Sequence, residues 1–291
     1  MTLTEQQLAH IDTFGFVILR QLFTPEEVAL INREFDARFE EELDGRTFTG
    51  EKRAAVGSFI ERSPELWPLF EDDRIQKPIE QLLGPDLILR STGCNLYVGN
   101  TEWHRDAADL EVDWTRINFL LYLDPVERNS GCIRFVPGSH REPFNSMLRP
   151  INIGRKEQAF AEGRIPQSDV DDFRREFNIS DDEPLFGVPP DELPCAAVET
   201  QPGDALIFNM YTYHATYGGR TGRRMVSLSF AAYPKTEEQL DLFHRQQEDI
   251  QRTRAAFQSN PPENRYPPAF LNSDLPRIKA LASRLAALGQ T

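Results

Sequence analysis

Three residues have the types and the spacing to hold one divalent metal ion. His104 and Asp106 are separated by a single residue, so in an extended segment their side chains project to the same face. His214 lies far along the chain, just after a strong strand pattern at residues 205–208. Two histidines and one carboxylate form the facial triad that suits non-haem Fe(II) and leaves positions open for a chelating co-substrate and O2.

Short strands must position these residues. Between residues 86 and 233 the chain shows β-type runs punctuated by turn residues, at 87–90, 95–98, 116–123, 132–136, 205–209 and 225–233. Because no helices alternate with these runs, they predict an antiparallel sandwich or barrel and not a βαβ fold. The polar stretch at about 145–200, with a helical pattern near 168–177, is too long for a plain loop, so we expect an insert with structure of its own.

Helical patterns flank the predicted β-core. Thr24, Pro25 and Glu27 form a capping box with proline at the first helical position. They open a helix that ends near Asp44 and carries an apolar face of Val28, Ile31, Phe35 and Phe39. Two more helical patterns occur at 237–257 and 275–288. We expect a single catalytic domain over residues 1–291, with a helical N-terminal part (1–85), a core with its insert (86–233) and a helical tail (234–291).

Charge and composition narrow the class of partner. The formal net charge of −14 opposes binding to nucleic acid and to anionic membranes, so a small-molecule substrate is expected. The apolar runs are too short to span a bilayer, and residues 1–7 lack the pattern of a signal peptide. Three well-separated cysteines, Cys94, Cys132 and Cys195, fit a reduced compartment, so a cytoplasmic location is expected.

Further segments around the triad occur in a characteristic order. They are WHRD at 103–106, LYLD at 121–124, NSGCIRFVPGSH at 129–140, QPGDALIF at 201–208 and HAT at 214–216, with Arg223 downstream. Together these segments, between about residues 90 and 232, resemble the phytanoyl-CoA dioxygenase family of Fe(II)- and 2-oxoglutarate-dependent oxygenases. The resemblance implies a mainly β fold with flanking helices, whose core is a double-stranded β-helix, or cupin-like jelly roll.

The resemblance also implies roles for individual residues. His104, Asp106 and His214 would be the iron ligands, with Fe(II), 2-oxoglutarate and O2 as cofactor and co-substrates. An arginine on the following strand would bind the distal carboxylate of 2-oxoglutarate. Arg223 and Arg224 are both candidates, and Arg223 fits the family's spacing to Ser227 and Phe230, although the stretch after His214 is about two residues shorter than in the family.

Two polar residues are further candidate contacts for 2-oxoglutarate. The Thr216 hydroxyl matches a family position that contacts this co-substrate, and Asn95 lies on the strand before His104. In contrast, His140 belongs to a turn that is a family signature outside the triad.

The expected activity is hydroxylation of a small-molecule metabolite or natural product, with release of succinate and CO2. Desaturation, cyclisation and demethylation share its chemistry, whereas the Asp106 carboxylate argues against halogenation. A CoA ester is not required, because CoA is highly anionic and this acidic chain shows no basic cluster to receive it. Arg116 and Arg134 are expected to be exposed strand residues. Two alternatives remain: a non-catalytic jelly roll that senses a metal or ligand, and a cupin-like metal enzyme that does not use 2-oxoglutarate.

Overall fold

Two antiparallel sheets form the core of the protein. The computed structural model describes residues 1–107, 112–180, 185–258 and 265–290, leaving out the side chains of residues 249 and 251–257. The larger sheet has the strand order β1-β8-β5-β10-β3-β2, and the smaller has the order β4-β9-β6-β7. The strands are β1 Phe16–Leu19, β2 Ala54–Gly57, β3 Leu87–Tyr97, β4 Thr101–His104, β5 Arg116–Tyr122, β6 Ile133–Phe135, β7 Ala196–Val198, β8 Ala205–Asn209, β9 His214–Thr216 and β10 Arg223–Ala232.

Helices surround this core. The α-helices are α1 Glu5–Phe14, α2 Pro25–Leu43, α3 Trp67–Phe70, α4 Asp73–Leu83, α5 Phe144–Met147, α6 Ile153–Ala161, α7 Gln167–Glu176, α8 Glu237–Phe257, α9 Pro268–Leu271 and α10 Pro276–Ala287. Short 3₁₀ turns occur at Pro64–Leu66, Arg149–Asn152, Leu185–Gly187 and Pro190–Glu192. No helix in the described parts of the chain is long and apolar enough to cross a membrane.

The helix α2 begins and ends where the sequence predicts. The Thr24 hydroxyl accepts a hydrogen bond from the Glu27 N–H, and the Glu27 carboxylate accepts one from the Thr24 N–H, which completes the capping box. The helix ends at Asp44, whose backbone is left-handed. Its buried face is formed by Ile31, Phe35 and Phe39.

The two faces of the large sheet have different roles. One face packs on the flanking helices in the main apolar core, which contains Phe119 of β5, Leu228 of β10 and Ile79 of α4. The other face packs against the small sheet, where Phe208 of β8 meets Phe135 of β6. Because both faces are covered, every residue of β5 is buried. This double-stranded β-helix agrees with the predicted fold class.

Several elements differ from the sequence predictions. The two strands expected at 87–90 and 95–98 are one continuous strand, β3, with a register shift where it pairs with β10. The strands β2, β4, β7 and β9 were not predicted. Arg116, expected to be exposed, is completely buried, and Arg134 is half-buried.

The insert has its own helices, as expected. Its described part contains α5, α6 and α7, and α6 packs on α7 through a small cluster around Ile153, Val170 and Phe173. The strand β7, at Ala196–Val198, already belongs to the small sheet, so the insert ends before residue 200.

Candidate active site

The three predicted ligands converge at one end of the small sheet. His104 ends β4, His214 begins β9, and the two are directly opposed in the antiparallel pair. The Oδ1 atom of Asp106 lies 3.5 Å from Nε2 of His104 and 3.7 Å from Nε2 of His214. One donor atom from each residue lies within 4.8 Å of the other two, and no other such group occurs among the residues that the structure describes.

Backbone carbonyls orient both imidazoles. Nδ1 of His104 lies 2.8 Å from the carbonyl oxygen of Glu102, and Nδ1 of His214 lies 2.9 Å from that of Thr212. A carbonyl only accepts, so each Nδ1 carries the proton and each Nε2 keeps its lone pair for a metal. Burial, together with the neighbouring His104, lowers the pKa of His214 to about 4, so this imidazole is neutral at neutral pH. The donor set therefore fits Fe(II).

The carboxylate of Asp106 is held by a short hydrogen-bonded chain. Asn118 on β5 donates to Oδ2 of Asp106 at 2.5 Å, and the Ser229 hydroxyl on β10 donates to the Asn118 amide oxygen. Oδ1 is thereby directed to the two histidines. Burial works to raise the pKa of Asp106, but the two histidines and Asn118 outweigh it and hold that pKa well below its ordinary value.

A cavity of about 460 Å³ opens beside the three residues and contains the side chain of Arg223. Arg223 is 1% exposed, and its Nη2 donates to the Thr216 hydroxyl at 3.2 Å. Its Nε and Nη1 atoms have no hydrogen-bond partner among the residues that the structure describes. A buried guanidinium with unused donors is strongly disfavoured unless an anion completes it. The geometry therefore fits the distal carboxylate of 2-oxoglutarate at Arg223.

The neighbouring Arg224 has a different role. Its side chain forms an ion pair with Asp124 at 2.9 Å and donates to the Asn32 amide oxygen. Burial works to raise the pKa of Asp124, but hydrogen bonds from Arg224 hold it below its ordinary value. Since adjacent strand residues face opposite ways, only one of the two arginines reaches the cavity, and it is Arg223.

Two glycines make room for the Arg223 guanidinium. A Cβ atom on Gly131 or on Gly219 would collide with its Nη1 atom. Gly131 also has a φ of +91°, which disfavours any other residue. These contacts give a physical reason for glycine in the 129–140 segment and in the turn after His214.

Asn95 and Thr216, the other two residues predicted to contact 2-oxoglutarate, both line this cavity. Asn95 lies directly opposite Met225 in the strand register, and its amide oxygen accepts from Arg53 at 2.6 Å. His140 stands apart from the triad, with Nε2 at 3.1 Å from the Asp12 carbonyl oxygen.

The sequence model of one known family, described as phytanoyl-CoA dioxygenase, matches residues 11–226. The chain belongs to the phytanoyl-CoA dioxygenase family. This family uses Fe(II), 2-oxoglutarate and O2, in agreement with the expected cofactors. A search of curated protein sequences gave no match.

Solved structures share the fold at low sequence identity. HygX from Streptomyces hygroscopicus, with nickel and 2-oxoglutarate bound, is 20% identical with a TM-score of 0.54, over 81% of this chain and 90% of HygX. The epimerase SnoN of nogalamycin biosynthesis, in complex with Fe3+, alpha ketoglutarate and nogalamycin RO, is 21% identical with a TM-score of 0.54, over 79% and 83%. EctD from S. alaskensis, with bound Fe, is 18% identical with a TM-score of 0.53, over 79% and 77%.

Sequence reasoning missed several cavity residues of this family member. Asn118 is an amide within an apolar strand, a signal that could have marked it. The arginines Arg53, Arg90 and Arg155 also line the cavity, together with Arg223. They come from distant segments, so the conclusion that the chain has no basic cluster was wrong.

The arginine assignment makes a paired prediction. We expect Arg223→Gln to weaken 2-oxoglutarate binding by about 10- to 100-fold, because a charged hydrogen-bonded contact is lost. Arg224→Gln should leave this affinity nearly unchanged but lower the thermal stability, because it breaks the ion pair with Asp124. Isothermal titration of the anaerobic Fe(II) protein, with a thermal melt of each variant, checks both. Equal losses of affinity in the two variants would contradict the assignment.

The chain from Ser229 to Asp106 makes a second prediction. We expect Asn118→Ala to lower the Fe(II) affinity by about 10- to 100-fold, because Asp106 loses the donor that orients it. The matched control is Asn95→Ala, which removes another amide from the same cavity without touching Asp106. Competition with a metal-binding dye measures both affinities, and an unchanged affinity in Asn118→Ala would show that Asp106 needs no such support.

Proposed function

We propose that this protein is an Fe(II)- and 2-oxoglutarate-dependent oxygenase that hydroxylates a small-molecule metabolite or natural product. The observation that carries the proposal is the joint placement of His104, Asp106 and His214 on one side of a cavity that also contains a buried, incompletely paired arginine, Arg223. The three would hold iron, and Arg223 with Thr216 would hold the co-substrate.

Each residue has a defined task in this proposal. Bound Fe(II) supplies the chemistry that couples decarboxylation of 2-oxoglutarate, to succinate and CO2, with transfer of one oxygen atom of O2 to the substrate. His104 and His214 would present Nε2 to the metal from one side, which would leave the cavity side for the co-substrate and O2. Arg223 fixes the far end of 2-oxoglutarate, with Asn95 as a further contact on the neighbouring strand. Asp106 occupies the position that a halide would need.

Structural relatives with other described activities make the product the decisive measurement. SnoN is described as an epimerase and SnoK, also from nogalamycin biosynthesis, as a carbocyclase. Hydroxylation adds one oxygen atom to the substrate, whereas desaturation and ring closure remove two hydrogens and epimerisation changes no mass. Mass spectrometry of the product separates these outcomes.

Two other functions make different demands on the cavity. A sensor would bind metal or ligand without turnover, and a metal enzyme of another chemistry would have no use for Arg223. The buried donors of Arg223 support the oxygenase over both. We place the reaction in the cytoplasm, which the three free cysteines support, with a free small molecule as substrate.

The test is anaerobic absorption spectroscopy of the protein with Fe(II) and 2-oxoglutarate. We expect the weak visible charge-transfer band of the iron chelate in the wild type and its loss in His104→Ala, Asp106→Ala and His214→Ala. His244→Ala, at an exposed position on α8, is the matched control and should keep the band.

The two possible results lead in different directions. A band lost only in the triad variants, together with succinate release on exposure to O2, supports the oxygenase. A folded, metal-loaded wild type without the band would sink the proposal and favour the sensor or the other metal enzyme.

A further inference from the structure

An irregularity in β3 directs a second buried arginine into the cavity. Ser91 pairs with Ser229 of β10, whereas the next pair is Leu89 with Phe230, so Arg90 is the extra residue of a β-bulge. A bulge places two consecutive residues on one face of a sheet. In agreement, both Arg90 and Ser91 line the cavity.

Arg90 has no anionic partner in the described residues around it. It is 4% exposed, and its Nη2 donates to the Gln246 amide oxygen at 2.6 Å. Among the described residues, Nη1 meets the Met210 sulfur, a weak acceptor, and Nε has no hydrogen-bond partner. Burial, with the nearby Arg116 and Arg265, lowers the pKa of Arg90 to about 9, so it still carries its charge at neutral pH.

A third side chain adds another unused donor. Gln258 lines the same cavity and is 5% exposed, and its amide nitrogen has no hydrogen-bond partner in the described part of the chain. Burying such a donor without an acceptor is unfavourable. Arg90 and Gln258 therefore each bring to the same cavity a buried donor that has no acceptor among the described residues, and Gln246 holds Arg90 through its amide oxygen.

The cofactors of the proposed function do not supply that acceptor. The described lining contains four arginines and one carboxylate, Asp106, which leaves three positive charges in excess. Fe(II) and the 2-oxoglutarate dianion cancel each other in formal charge. The positive excess of the described lining is therefore the same when both are bound, and an anionic group in the cavity would reduce it.

Position separates Arg90 from the 2-oxoglutarate end. Arg223 and Ser229 are six residues apart on β10, which is roughly 20 Å of strand. Arg90 lies at the Ser229 end, next to the chain through Asn118 to Asp106. The short 2-oxoglutarate molecule held by Arg223 cannot also reach Arg90.

We propose that Arg90, Gln246 and Gln258 form a subsite for an anionic group of the substrate, a carboxylate or another compact anion, on the opposite side of the metal centre from Arg223. This assignment rests on the proposed function and adds a substrate class to it. The substrate would lie between the subsite and the triad, with the carbon to be oxidised facing His104 and His214.

A purely structural role explains Arg90 less well. A buried cation costs several kilocalories per mole unless it is compensated, and an apolar side chain of similar volume would be cheaper in this wall. Neutral partners such as an amide and a thioether do not compensate the charge. A ligand anion does, through charge-assisted hydrogen bonds to the guanidinium.

The test uses the intact protein, loaded anaerobically with Fe(II) and saturated with 2-oxoglutarate. The probes are butanoate, hexanoate and octanoate, each compared with its primary amide, and inorganic phosphate, measured by isothermal titration. We expect at least one anion to bind with one molecule per chain. The affinity of the matching amide should be lower by about tenfold or more. Arg90→Gln should lose this binding, whereas Arg175→Gln, an exposed arginine on α7, should keep it.

A second variant guards against misfolding of Arg90→Gln. Gln246→Glu would give Arg90 a carboxylate partner, so we expect a higher melting temperature together with loss of anion binding. Wild-type protein that binds no anion, or variants at both positions that bind as well as wild type, would overturn the subsite.

The two proposals fail in distinguishable ways. Affinity for 2-oxoglutarate should stay within about twofold of wild type in both subsite variants, because Arg223 is distant. A wild type that binds 2-oxoglutarate but no anion overturns only the subsite. A wild type that binds the anions but gives no iron chelate band overturns the oxygenase and leaves an Arg90-dependent anion site.

Discussion

The antiparallel pairing of β4 with β9 is the constraint on which the candidate site depends. It sets His104 against His214, and the extended segment after β4 returns Asp106 to the same side. Strand side chains alternate, so a slip of one residue would turn a histidine to the opposite face and dismantle the donor set. The candidate metal site therefore depends on strand register, and the two-sheet core is the scaffold that fixes that register.

Buried charge is the second organising feature. Arg223 and Arg90 are both removed from solvent, and each would be costly in isolation. Asn118 donates to the Asp106 carboxylate, which faces the two histidines, but donors of both arginines find no acceptor among the described residues. These unused donors lower the stability of the fold, and a bound anionic ligand would supply the acceptors that they lack. Gly131 and Gly219 leave room for the Arg223 guanidinium, because a Cβ atom at either position would collide with it.

The sequence predicted what depends on local periodicity. The HxD spacing implied two ligands on one face, the capping box fixed the start of α2, and the alternation of Arg223 and Arg224 left one of them for the cavity. Arg90 was beyond reach because a bulge reverses the alternation, and nothing in the run 87–90 marks the extra residue. Arg116 was misjudged because its partners, Tyr211 and Trp114, meet it only in the folded chain. The patterns that predict strands and helices lie in neighbouring residues, whereas the arginines of the cavity come from distant segments of the chain.

The contrast between surface and cavity bears on how a charged substrate would be selected. The chain carries a net charge of −14, which repels anions at long range, yet the cavity lining is positive. At physiological salt the long-range repulsion fades beyond about 8 Å, so it slows approach without preventing it. At the buried guanidinium groups of Arg90 and Arg223, the attraction for an anion is several-fold stronger than in bulk solvent. Discrimination would then arise from contacts made after entry and not from electrostatic steering, and a neutral analogue of the same shape would be rejected because it leaves the buried charge of Arg90 uncompensated.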